Sequence, residues 1–315
     1  MSFLYLLQEW RTPVLDAVFS TLTLLGEEAF FLFIALTVYW CIDKKNGYYL
    51  LTVSFIGLTV NQLLKLIFRI PRPWVLDPDF PIVEEAREAA TGYSFPSGHT
   101  QNAVNTFGSI ARFTGRRALR IVCLSLIPVV AFSRMYLGVH TPKDVLVSIG
   151  IGCILVLGMY PLMQRAGKSP SVMYAIIGTL IVGAIAFALF VECYPFPADL
   201  NAENWASGRK NAWTILGCSV AMLVVDTLDH YRLNFATAAP LPAQLCKLVL
   251  GAALTLALKS LLRAPLLALC GGHPAAHALR YFLIVLFAAA VWPITFPFWV
   301  RLFSRKRRLD KPDNL

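Results

Sequence analysis

The feature that most constrains this chain is a succession of apolar runs, several of them reaching roughly the 17–25 residues that a helix needs to cross a bilayer. A water-soluble fold has no way to bury so many. The remaining composition agrees: 57% of the residues are hydrophobic and 15% charged, where a soluble domain carries about 25% charged residues. Membrane barrels read as short alternating strands, which are missing from this pattern. The predicted fold class is therefore all-α integral membrane, a polytopic helical bundle. The net charge of +10 does not call for nucleic acid, because much of it lies in short loops between spans, where it sets orientation.

Periodicity and polar punctuation predict spans over 29–42, 48–70, 98–112, 121–137, 142–163, 172–191, 212–225, 245–262 and 281–303, about nine in all. Pro293 and Pro297 are expected kinks in the last. A polar turn is expected over 43–47. Loops are expected over 71–95, with Asp77, Asp79, Glu84, Glu85 and Glu88, and over 195–210. In residues 1–27, Leu15, Val18, Phe19 and Leu22 recur at helical spacing. That stretch reads as an amphipathic surface helix or a re-entrant piece, with a short span as the alternative. Arg11 to Asp16 break the first apolar stretch and no small-residue cleavage site follows, so no removable leader is expected.

Lys44 and Lys45, the arginines of 112–120, Arg165 and Lys168, Arg232, and the tail Arg305-Lys306-Arg307-Arg308 all fall on one side of this layout. The positive-inside rule makes that side cytoplasmic, with the C-terminus on it. The expected setting is a cell membrane, with residues 1–170 as one unit and 171–315 as additional helices with the basic tail. The seven cysteines are scattered, without CxxC or zinc spacing, and read as small apolar residues. His273 and His277 are four apart but Pro274 lies between them, which argues against a metal pair. No metal and no cofactor are expected. Asp226, Asp229 and His230 read as interfacial. Lys247, Lys259, Arg263 and Arg280 read as snorkelling, with contact to lipid headgroups or the lining of a cleft as the alternative.

Three polar islands stand at the mouths of apolar runs, all on the extracytoplasmic side. Charged groups there are costly unless they face a cavity or a partner. Lys65 and Arg72 are seven apart, hence on one face of a continuing helix, and a point charge beside a fork suits phosphate. Interfacial snorkelling is the alternative. Ser97-Gly98-His99 follows Pro96 and opens a helix, whose free N–H groups attract anions. Ser97 also reads as a simple N-cap. His140 and Asp144 are four apart, so a carboxylate can orient an imidazole. An interfacial histidine with a helix-capping aspartate is the alternative. Arg134 lies just upstream.

Read together, Lys65-x6-Arg72-Pro73, Pro96-Ser97-Gly98-His99 and Ser133-Arg134-x5-His140-x3-Asp144 match every fixed position of the phosphatidic acid phosphatase type 2 superfamily signature. The chain is identified as a member by that resemblance. The resemblance implies a six-helix-type core, His140 as a nucleophile forming a phosphohistidine, Asp144 as its orienting partner, and His99 as general acid. It also implies a phosphate pocket of Lys65, Arg72, Ser97, Gly98 and Arg134, and chemistry without a metal. The region 171–303 exceeds that core. The nine-span layout and Arg72-Pro73-Trp74-Val75-Leu76-Asp77 resemble the glucose-6-phosphatase branch, and sphingosine-1-phosphate phosphatases are a similar branch. The implied function is an integral membrane phosphatase acting on a lipid phosphate or diphosphate, with membrane lipids as its surroundings. A lipid phosphotransferase of the same fold, a sugar-phosphate phosphatase and a non-enzymatic lipid transporter are the alternatives.

Overall fold

A computed structural model describes residues 1–87, 90–197 and 200–309, with the side chains of 305–309 excepted. Glu88 and the side chains of the basic tail therefore lie outside the described residues. The described chain is helical and contains no strand. Seven of its helices are long and apolar enough to span a bilayer. The count is eight if Pro13–Gly26 and Glu28–Ile42, which meet at 49°, form one broken span. The expected third span is shorter than a bilayer: 98–113 is helical throughout but reaches only about 24 Å at 1.5 Å per residue. It can be short because neighbours shield it, and Gln101, Asn105, Thr106 and Ser109 are all buried.

Local chemistry sets where the helices start. Asp43 accepts the Asn46 N–H at 2.7 Å, so the expected polar turn 43–47 is instead the cap and first turn of the helix Lys44–Phe68. The expected loop 195–210 is likewise half helix, because Asn201 caps Ala202–Leu228 by accepting from the Asn204 N–H at 2.9 Å. Thr141 and Asp144 form a reciprocal capping box at the head of Pro142–Ala166, with Pro142 in its first turn.

Packing then gathers the site-bearing helices. Gly57 lets Lys44–Phe68 approach 98–113 so closely that an added Cβ would sit 2.3 Å from Asn105 Nδ2. Tyr49 Oη donates to Val156 O at 2.6 Å, tying the same helix to Pro142–Ala166. Pro142–Ala166 turns Leu146, Ile154 and Leu157 outward, each more than 60% exposed, and buries Asp144, Ser148 and Gly152. Apolar outside and polar inside is the pattern of a helix facing lipid. The later helices dock through small residues too: at Gly217 an added Cβ would meet Ala278 O at 2.0 Å.

Three residues expected at interfaces are buried instead, among them Arg280, whose Nε donates to Lys259 O at 3.0 Å. Asp229 is buried and pairs with Lys44 at 2.7 Å, joining the end of one long helix to the start of another. Lys247 does not snorkel; its Nζ donates to Thr237 O at 3.0 Å and lies 4.3 Å from the Phe296 ring centre.

Candidate active site

The turn after helix Arg117–Tyr136 aims His140. The N–H groups of Val139 and His140 donate back to Arg134 O at 3.2 and 3.3 Å. Gly138 sits at φ +79, and a Cβ there would lie 2.8 Å from Arg11 Nη2 and 2.9 Å from Phe80. Only glycine suits that conformation and that crowding. Arg11 clamps the turn from the N-terminal segment, donating to Tyr136 O at 3.1 and 2.9 Å and to Pro81 O at 2.6 Å.

His140 is 1% exposed. Its Nε2 lies 2.9 Å from Arg72 Nη1. Arginine only donates, so Nε2 accepts and the ring proton resides on Nδ1. Nδ1 faces Asp144 Oδ2 at 3.5 Å and Ser94 Oγ at 3.4 Å. Asp144 Oδ2 also accepts the Thr141 N–H at 2.8 Å and the Ser94 hydroxyl at 2.6 Å. Both sequence readings of Asp144 thus hold together: it caps its helix and faces the imidazole. Burial first, then the charges of Arg72, Arg134 and Lys65, hold the His140 imidazole well below its ordinary range. At neutral pH it therefore stays unprotonated at Nε2, whose lone pair accepts from Arg72.

Lys65 and Arg72 do not share a helix face. The helix ends at Phe68, Arg69 turns left-handed at φ 49, and Arg72 precedes a short helix, Pro73–Leu76, in extended conformation. The two cations meet instead over the carbonyls of one loop. Lys65 Nζ donates to Tyr93 O. Arg72 Nη2 donates to Thr91 O at 2.8 Å, Nε to Gly92 O at 3.1 Å, and Nη1 to Val139 O at 3.0 Å. A lysine cannot reproduce that fork. Arg72→Lys should lower kcat/KM more than about tenfold; unchanged kinetics in the purified variant would remove Arg72 from the site.

Ser97 accepts from the Thr100 N–H at 3.4 Å and its hydroxyl at 3.0 Å, and its own N–H donates to Asp144 O at 3.2 Å. Beside Gly98 there is room: an added Cβ would meet nothing nearer than Asn61 Oδ1 at 3.8 Å. Arg134 is fully buried, yet only Nη1 finds a hydrogen-bond partner, Thr23 Oγ1 at 2.7 Å. Its Nε and Nη2, and His99 Nε2, are buried without one. Buried groups left in that state are rare and costly, and an anion would satisfy them. The expected site residues from all three islands therefore meet at one end of the bundle. His273 lies apart, 3.4 Å from Arg209. Among the described residues no three His, Cys, Asp or Glu gather as metal ligands would.

Sequence reasoning missed Ser94, Thr23 and Arg11. Ser94 stood two residues before the Pro96 island and could have been found there; Thr23 and Arg11 carried no local signal. Ser94→Ala should lower kcat about tenfold, by removing one hydrogen bond to a carboxylate, with KM little changed. A normal kcat would show that Ser94 merely fills space.

The PAP2 superfamily model matches residues 46–168, and the model for a PAP2 superfamily phosphatase transmembrane extension matches residues 213–305. Human sphingosine-1-phosphate phosphatase 2 is similar at 24% identity over 66% of this chain and 50% of its own. Phosphatidylglycerophosphatase B of Bacillus subtilis is 30% identical over 46% of this chain and 73% of its own. Undecaprenyl-diphosphatase BcrC of the same organism is 31% identical over 36% of this chain and 55% of its own. The chain spans about half the length of the sphingosine-1-phosphate phosphatases it matches. No solved structure matches.

Proposed function

The chain belongs to the PAP2 superfamily, and from that premise we propose that it is an integral membrane phosphatase that removes phosphate from a lipid phosphate or diphosphate through a phosphohistidine. The observation that carries this reading is the convergence of His140 Nε2 and Arg72, 2.9 Å apart, with the buried and unpartnered Arg134 Nε and Nη2 and His99 Nε2. Relatives named for sphingosine-1-phosphate, phosphatidylglycerophosphate and undecaprenyl diphosphate support a lipid substrate.

His140 Nε2 attacks phosphorus, forming a P–N bond as the P–O bond to the lipid breaks. His99, taking up a proton as the anionic phosphate binds, gives that proton from Nε2 to the departing oxygen. Arg72, Arg134, Lys65 and the first N–H groups of the Gly98 helix hold the equatorial oxygens, where charge builds in the transition state. Asp144 and Ser94 keep the Nδ1 proton in place and offset the positive charge that the ring acquires. Water then attacks phosphorus and gives a proton to His99. The P–N bond breaks, and His140 recovers its lone pair. No step calls for a metal. The basic turns support an orientation, by the positive-inside rule, with this end of the bundle extracytoplasmic and the C-terminus cytoplasmic. Residues 1–170 carry the chemistry, and 171–315 supply the added helices and the basic tail.

A lipid transporter would have no use for a neutral buried imidazole beside an arginine fork. The test is phosphate release from a panel of lipid and sugar phosphates by the detergent-purified protein in EDTA. Release from lipid phosphates is expected. No release from any of them, or release that returns only when a divalent cation is restored, would reject the reading.

A further inference from the structure

This inference rests on the phosphatase reading and names a feature of its substrate. Among the described residues, Arg69 to Arg87 and Ala90 to Tyr93 on one side, and Pro197 and Leu200 to Lys210 on the other, contribute the lining of a cleft of about 930 Å³. Of the eight proposed catalytic and phosphate-binding residues, Arg72 and no other lines it among the described residues. Lys65, Arg134 and His140 are buried at 5%, 0% and 1% exposure, and Arg72, at 6%, borders the cleft with only its edge. The cleft therefore comes within one side chain of the attacking nitrogen, since Arg72 Nη1 touches both Val139 O and His140 Nε2.

Among the described residues its lining is cationic. Arg69, Arg72, Arg87 and Lys210 line it against one described carboxylate, Glu203. Arg87 is committed to Glu84 at 2.8 Å and to the Trp74 ring at 5.5 Å. The side chains of Arg69 and Lys210 have no hydrogen bond or ion pair among the described residues. The head of helix Ala202–Leu228 opens on the cleft through Asn204 and Ser207, adding a partial positive charge.

Arg69 supplies an independent sign. It ends its helix in the left-handed region at φ 49, ψ 34. Glycine is the usual residue there, because a Cβ is strained in that conformation. An arginine kept at such a position brings a side chain to the cleft that glycine would not.

We propose that this cleft is a second anion site, which takes a phosphate or phosphodiester group adjoining the scissile phosphate of a lipid substrate. Arg69 binds it from one wall and Lys210 from the other. A part of the added region, the head of helix Ala202–Leu228, thereby takes part in substrate choice, favouring lipids with two neighbouring anionic groups over simple monophosphates.

The test uses the purified full chain and two substrates with one hydrocarbon chain, a monophosphate and the corresponding diphosphate. In Arg69→Gly and in Lys210→Gln, the ratio of kcat/KM for diphosphate over monophosphate should fall about tenfold, the weight of one charge-assisted hydrogen bond. Arg69→Gly should unfold no earlier than the wild type, since glycine relieves the left-handed strain. An unchanged ratio in both variants, or equal losses on both substrates, would overturn the second site. A wild-type protein that releases phosphate from neither lipid would reject the phosphatase reading alone. A readout free of turnover then decides the cleft. Inorganic diphosphate should raise the unfolding midpoint of His140→Ala, and should fail to do so when Arg69→Gly and Lys210→Gln are added; an equal rise in both would overturn the proposal.

Discussion

Replacing His140 with alanine should abolish phosphate release, lowering kcat by about four orders of magnitude or more. The expectation follows from one lone pair. Nε2 faces the arginine fork while the ring proton is held on Nδ1 by Asp144 and Ser94, so no other nitrogen near the fork is free to attack. The fold should survive. Arg72 Nη1 keeps its bond to Val139 O and Asp144 keeps its bonds to Thr141 and Ser94. A purified variant with a wild-type unfolding midpoint and less than a tenfold loss of rate would remove His140 from the chemistry.

Arg134→Met should produce the second large effect, and an uncommon pair of changes. Activity should fall about a hundred- to a thousandfold, the usual consequence of losing a donor aimed at developing charge. Stability in the absence of ligand should rise, by about 1–4 kcal/mol, since replacing a buried and poorly satisfied ion with an apolar side chain of similar volume often stabilises. Arg134 is fully buried with two of its three nitrogens unpartnered. On the proposed mechanism, the group that costs stability is the group that would hold the anion. Inorganic phosphate should raise the wild-type unfolding midpoint and leave that of the variant unmoved, as expected of a ligand that binds one folded protein and not the other. A variant that unfolds earlier than the wild type and still releases phosphate would show that Arg134 is a structural ion.

The polar islands were legible because charges at the mouths of apolar helices are costly, and residues that remain there stand out against leucine and valine. His140 and Asp144 were paired as helical neighbours and do meet, at 3.5 Å, but His140 stands in the turn before the helix that opens at Pro142, and the aspartate reaches it from that helix's first turn while capping it. Lys65 and Arg72 were correctly associated for an incorrect reason. The helix that was to carry both stops at Phe68, and what joins them is a row of backbone carbonyls at Thr91, Gly92 and Tyr93. Carbonyl direction has no sequence signature. Thr23 and Arg11 were hidden for a related reason: they reach the site from an N-terminal segment more than a hundred residues away from Arg134 and Tyr136. The polar stretches 43–47 and 195–210 were read as loops because capping residues and first-turn polar groups resemble turn residues in composition. Asp229 and Lys247 were read as interfacial because each was judged alone, and burial became legible only with Lys44 and Phe296 in view.

The central claim is that phosphorus becomes bonded to His140. Purified protein mixed with a lipid phosphate labelled at its phosphorus, quenched in base within one turnover and digested, puts that claim to a direct test. An acid-labile label on the peptide that contains His140, absent from His140→Ala, is the expected result. A wild-type protein that turns over the same lipid while the label passes to water without ever appearing on that peptide would contradict it.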